Sequence, residues 1–167
     1  MLAVKWAVDN ELLTAETKWY TERWENGKVI ESNGKKLYWN WEHRMRTNTR
    51  GRRPDLTLED TIKKTILLVD MACPIESNKE TKRMDKIIKY RQLCFELRER
   101  REGFTVNVVP TIIGCLGGGI KELKESLKRI FENDNDKELE SLAREMQKTV
   151  LWESESLMRK VLSGLLT

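Results

Sequence analysis

Histidine and cysteine are scarce in this sequence: His43 stands alone, and Cys73, Cys94 and Cys115 are too few to pair evenly. A disulfide framework is excluded. A zinc site would have to gather those four residues across spacings of 30, 21 and 21, with no Cys-x-x-Cys pair to nucleate it, so zinc is not expected. Each cysteine sits among apolar neighbours (MACPI, QLCFEL, IIGCLG), the setting of a thiol packed as a small buried hydrophobe. Long apolar runs are missing as well, none approaching the ~18 residues of a spanning helix. The opening MLAVKWAVDNELL interrupts its apolar residues with a lysine and two acids, unlike a secretory leader. The expectation is an intracellular, reducing setting and no membrane. The glycine cluster GCLGGG has neither the Lys-Ser/Thr of a P-loop nor the order of a dinucleotide fingerprint, and reads as a strand-to-helix turn.

What is present is charge, and its distribution says more than its sum. The 167 residues suit one domain, 35% of them are charged, and the net charge is only +4. Residues 44 to 53, RMRTNTRGRR, hold Arg44, Arg46, Arg50, Arg52 and Arg53 without an acid, whereas residues 132 to 140 hold five acids against one lysine. Clustered guanidinium groups suit phosphate, because each donates in bidentate pairs and neutralising phosphates releases counterions. A solvated basic loop is the plainer reading of charge alone.

Along the chain, Leu2 to Trp19 allows a helix within an amino-terminal helical region, residues 1–26. Two β-rich runs flank Asn33-Gly34 and predict a hairpin over residues 28 to 41. PDLTLED alternates its side chains, and TILLVDMAC reads as a strand inside a sheet, the two pairing through a turn near residues 61 to 64. Pro74 stops that strand, and a helix from about Lys79 to Arg101 closes at Gly103. At 100° per residue Ile87, Tyr90, Cys94 and Leu97 share its buried face, with Leu93 at the border. FTVNVVPTIIGC is a further buried strand, expected parallel to the one before the crossover helix, and IKELKESLKRIF a further helix. A last helix from about Asp136 to Ser163 carries Leu139, Ala143, Met146, Val150, Leu157 and Val161 on one stripe, as a docking helix or a dimer face. Trp39 and Trp41, at strand spacing, are expected on one face as core or hydrophobic surface. The fold class is mixed α/β: a small mixed central sheet flanked by helices over residues 27–131, with a carboxyl-terminal helical extension over 136–164.

One constellation can carry chemistry. With a turn at 61 to 64, antiparallel partners sum to 125, which sets Asp55 opposite Asp70 at one end of the sheet. Asp55 alone could be a turn or capping residue. Asp70 is harder to dismiss, because an uncompensated charge in an apolar strand costs several kcal/mol. Two adjacent carboxylates favour a divalent metal with oxygen ligands, Mg²⁺ or Mn²⁺. Lys86 and Lys89 lie one turn apart on the following helix, Lys86 at the margin of the buried face and Lys89 about 60° further toward solvent. Either could be solvated surface. Two acids, a metal and an ammonium group together suit phosphodiester hydrolysis.

The ordered strings RRPDL, ILLVDMACP, KIIKYRQL and VNVVPTIIGCLG resemble the restriction-endonuclease-like domain at the carboxyl end of non-LTR retrotransposon polyproteins. LYWNWEHRMRTN and EMQKTVLWESESLMRKVLS look like the same family's upstream segment and terminal helix, so the likeness runs from about Trp19 to Leu162. The resemblance implies a PD-(D/E)xK nuclease core, with Asp55 and Asp70 as metal ligands and Lys86 or Lys89 as a lysine moved onto the helix. Ala72 stands where the short motif has its lysine, and Asn40 where family members often carry Asp. The implied activity is metal-dependent nicking of double-stranded DNA at an insertion site, leaving a 3′ hydroxyl that primes reverse transcription of the element RNA. The arginine block and Tyr90 would contact nucleic acid. Element RNA and a second copy, held through the terminal helix, are further candidate partners, and the setting is nuclear if chromosomal DNA is the target. The rival readings are a catalytically inactive nucleic-acid-binding module of the same fold, and a protein-interaction domain built on the terminal helix.

Overall fold

A computed structural model describes residues 1–18, 20, 23–47, 50–132 and 135–164. The chain runs α1 (Leu2–Asp9), β1 (Val29–Ser32), β2 (Lys35–Trp39), β3 (Leu56–Asp60), β4 (Thr65–Ala72), a 3₁₀ turn (Glu76–Asn78), α2 (Lys79–Arg100), β5 (Thr105–Ile112), α3 (Ile120–Ile130) and α4 (Asp136–Leu162). It is a mixed α/β fold whose sheet has the order β1-β2-β3-β4-β5. Two compact units make it up, residues 1–71 with 84–110, and residues 72–83 with 111–167.

In the first unit the β1–β2 hairpin forms because Asn33 (φ 48°) and Gly34 (φ 77°) both accept the left-handed backbone of a primed two-residue turn. β2, β3 and β4 follow as antiparallel neighbours, and every β3–β4 pair sums to 125, from Leu56↔Val69 to Asp60↔Thr65. β5 is parallel to β4, since the hydrogen bonds Thr105 N–H to Lys64 O and Ile113 N–H to Ala72 O each join residues 41 apart. It comes last in the order of the described strands, a position where Pro110, with no N–H to donate, is tolerated. Ile66 and Leu68 from β4 pack with Val106 from β5 against Tyr90, Leu93, Cys94 and Leu97 of α2.

Several sequence expectations change. The first helix stops at Asp9, where the Asn10 side chain bonds back to Trp6 O and Glu11 adopts φ 60°. Trp19, its expected end, lies outside the described residues. β3 is buried at all five positions rather than alternating, because it is an inner strand. Ile87 is exposed whereas Leu93, expected at the border, is fully buried: the buried stripe of α2 begins only at Tyr90. Asn40, at φ 47°, breaks the alternation after β2, so Trp39 packs edge-on to Trp24 (5.4 Å) while Trp41 meets Tyr38 (6.0 Å). Of the thiols only Cys94 is buried; Cys115 is half-buried and Cys73 exposed.

In the second unit α3 and α4 pack together and bury Leu123, Leu127 and Ile130 with Leu139, Leu142, Ala143 and Met146. The stripe on α4 does not stay covered, since Leu157 and Val161 are exposed. The glycine cluster is the expected strand-to-helix turn, and it cradles a carboxylate of its own chain. Glu76 accepts from Leu116 N–H and Gly118 N–H, both at 3.1 Å, and a Cβ on Gly114 or Gly118 would sit 2.0 or 2.1 Å from its oxygens. The Gly118 bond, opposed by partial desolvation and aided by Lys79, holds the Glu76 carboxyl below its ordinary range.

One close approach ties the arginine-rich loop to α2. Gly51 is buried, and an added Cβ would lie 1.7 Å from the Lys89 carbonyl oxygen, a helix backbone that cannot retreat. Gly51→Ala should therefore cost about 1–3 kcal/mol, read as a lower thermal midpoint, whereas Arg50→Ala on the exposed side of the same loop should leave the midpoint nearly unchanged.

Candidate active site

β3 and β4 present residues 57, 59, 66 and 68 on the sheet face that α2 covers, as the register requires. Continuing that register by one pair brings Asp55 opposite Asp70 on this face, and Met71 N–H donating to Asp55 Oδ2 at 2.6 Å ties the two strand ends together. The expected juxtaposition of the two acids is present.

Asp70 is 2% exposed, so its charge has to be met inside the protein. Three α2 side chains meet it. Lys86 Nζ forms an ion pair with Oδ2, Lys89 Nζ stands 3.8 Å from the same oxygen, and the Tyr90 hydroxyl lies 2.8 Å from Oδ1. The exposures follow the helical wheel, 19% for the Lys86 side chain and 39% for Lys89. Lys89 also rests over the Tyr90 ring at 4.6 Å. Burial holds the Asp55 carboxyl above its ordinary value of 3.8; the Met71 N–H bond pulls it down and the Asp70 charge pushes it up.

Tyr90 is a correction. Its ring is fully buried, so it does not offer a surface to a polynucleotide. Its one hydroxyl proton lies between Asp70 Oδ1 and the Arg53 carbonyl oxygen at 2.9 Å, which makes it a link between the loop and the acid. Burial, with the Asp70 charge, pushes its phenol well above the ordinary range. Sequence reasoning placed Tyr90 beside the acids and missed this bond, as it missed the Met71 amide and the packing of Gly51.

The arginines surround this end of the sheet in different ways. Arg53 Nε bonds to Asn40 Oδ1 at 2.8 Å, Arg52 pairs with Glu42 at 2.6 Å, and Arg46 pairs with Glu99 at 3.1 Å. Arg44 and Arg50 are exposed. Exposed pairs of this kind are worth only about 0–1 kcal/mol, so a phosphate can replace the carboxylate partners of Arg46 and Arg52 at small cost.

The donor set decides which metal fits. No group of three or more His, Cys, Asp and Glu gathers to hold an ion among the described residues. Mg²⁺ asks for less, since it commonly keeps several waters and takes one or two carboxylates together with substrate phosphate oxygens. Asp55 and Asp70 supply that number of carboxylates, and a metal at Asp70 Oδ2 would take the place the Lys86 ammonium now holds on that oxygen.

Comparison with protein-family models, with curated proteins and with solved structures finds no match for this chain.

The raised Asp55 value has a consequence for stability. The folded chain holds this proton more tightly than the unfolded chain, so ionised Asp55 costs stability at neutral pH and nothing well below 3.8, where both states are protonated. Asp55→Asn, which keeps an acceptor for the Met71 amide, should melt at a higher temperature than the wild type at pH 7. The gap should close as the pH falls below 3.8 in melts followed by circular dichroism.

Proposed function

We propose that this chain is a metal-dependent DNA endonuclease domain with a PD-(D/E)xK-type core, of the kind that nicks target DNA for a non-LTR retrotransposon. The observation that carries the reading is the buried Asp70 carboxylate, paired across strands with Asp55 and met by ammonium groups from α2. A carboxylate in the interior of a strand with apolar residues on both sides would be replaced at no loss by a hydrophobic residue if it served packing alone.

Asp55 and Asp70 would hold Mg²⁺ or Mn²⁺, which supplies charge to polarise the scissile phosphate and its attacking water. Lys86 places positive charge where the phosphorane would carry excess negative charge, and Lys89, more exposed and on the same side, supports it. Tyr90 fixes the Asp70 carboxylate by donating to Oδ1, leaving Oδ2 toward the lysines. Water adds to phosphorus as the P–O3′ bond breaks, a proton from that water reaches the departing O3′ through solvent, and the nicked strand is left with a 3′ hydroxyl on one side and a 5′ phosphate on the other. The arginine loop, anchored through Gly51, would grip the flanking backbone.

A second reading is a catalytically inactive nucleic-acid-binding module. The contact that favours it is the Lys86–Asp70 ion pair itself, which already neutralises the buried acid without a metal.

Plasmid nicking separates the two. In Mg²⁺ or Mn²⁺ the wild type should relax supercoiled DNA, Asp70→Ala should not, and Lys86→Ala should slow the reaction about 10²-fold or more. If wild type and Asp70→Ala are both inert yet both retard DNA at low salt, the binding module is the right reading.

A further inference from the structure

The same sheet face holds a second polar site that the nuclease reading leaves unused. Four residues beyond Asp55 along β3, about 13 Å away at strand spacing, Glu59 is 2% exposed at the base of a cavity of about 380 Å³. Tyr38, Trp41 and His43 line the cavity, with Arg100 and Arg101 from the last turn of α2 and the residue after it. Its volume lies within the range of small-ligand sites, about 300–1,000 Å³.

The polar groups inside are only half used. Glu59 Oε2 accepts the Tyr38 hydroxyl at 2.9 Å, whereas Oε1 is buried and accepts no hydrogen bond, with Arg101 Nη2 3.2 Å away. His43 Nε2 lies 2.8 Å from Thr57 Oγ1, and burial aided by Arg100 lowers its pKa to about 4, so a neutral imidazole forms part of the wall. Trp41 stays 38% exposed at the rim with its ring 6.0 Å from that of Tyr38. The site thus offers flat aromatic walls and one acceptor beside one donor at its base, with Arg100 paired to Glu96 at 2.7 Å and Arg101 to Glu59 at 3.2 Å. An anionic tail on a ligand would share these guanidinium donors with the two carboxylates.

We propose that this cavity receives a nucleobase turned out of a DNA strand. Tyr38 and Trp41 stack on the base, Glu59 Oε1 accepts an N–H from its edge, and Arg100 and Arg101 face the adjoining phosphate. Every base has a π face, and each Watson–Crick edge sets an N–H beside a lone pair, which matches the Glu59 and Arg101 pair without demanding one sequence. The inference rests on the nucleic-acid reading of the chain and is independent of its catalysis.

The test is fluorescence anisotropy of the full chain, in EDTA and at low salt, with two labelled twelve-nucleotide single strands. One carries bases, and the other is the same backbone made wholly abasic. The wild type should bind the base-bearing strand on the order of tenfold more tightly. Trp41→Ala and Glu59→Gln should bind both strands alike, while Trp152→Ala, at an exposed tryptophan of α4, keeps the preference. Because Glu59 is buried, its variant is used only if its melt is cooperative; Trp41→Ala, at the rim, decides the matter otherwise. Equal affinity of the wild type for the two strands, or an undiminished preference in Trp41→Ala, would overturn the proposal and leave a structural ion pair. A wild type that prefers bases but never nicks plasmid removes the nuclease and keeps the cavity; nicking without base preference does the reverse.

Discussion

The arrangement of the first unit depends on how a charge is accommodated at the end of β4. A strand as apolar as this one can hold Asp70 only if groups of opposite charge and a donor reach it, and three of them arrive from a single helix, through Lys86, Lys89 and Tyr90. That fixes the phase of α2 over the sheet. Once Tyr90 is buried under Asp70, the helical repeat sends Leu93, Cys94 and Leu97 onto Ile66 and Leu68 as well. The polar cluster and the apolar core are therefore parts of one alignment, and a rotation of the helix that lost the first would open the second.

The covered face of the sheet carries polar groups at two places. At one end are two acids with lysines above them; further along β3 a glutamate is flanked by aromatic rings and arginines. The Thr57–Leu68 pair lies between the two along the strands, while Ile66 and Leu97 line the cavity at Glu59. Buried charge is expensive at either place, and each is met by cations from α2 or the turn after it. The helix at one place and Arg101, the residue after it, at the other compensate these acids with side chains that also reach solvent.

Much of this could be read from the residues. The Asn33-Gly34 turn, the β3–β4 register that opposes Asp55 to Asp70, and the phase that sets Lys86 deeper than Lys89 all follow from short-range rules with little tertiary competition. The failures have a common origin. Period alone does not say where cover ends, so Ile87 on α2 and Leu157 on α4 continue their apolar stripes into the open. Nor does it show a single residue leaving the alternation, as Asn40 does before Trp41. Glu59 went unnoticed for a related reason. In PDLTLED it looks like an outward-facing residue of a half-exposed strand, and only the central place of β3 in the sheet makes it internal.

Among the described strands the sheet has two margins, and β5 forms one of them. An open margin ordinarily presents a row of amides to which any extended chain can add, the usual route to intermolecular ribbons. Pro110 removes one of those amides from the row within β5. The proline nitrogen faces away from β4, so this border is one donor short while the pairing of β5 with β4 loses no hydrogen bond to the ring.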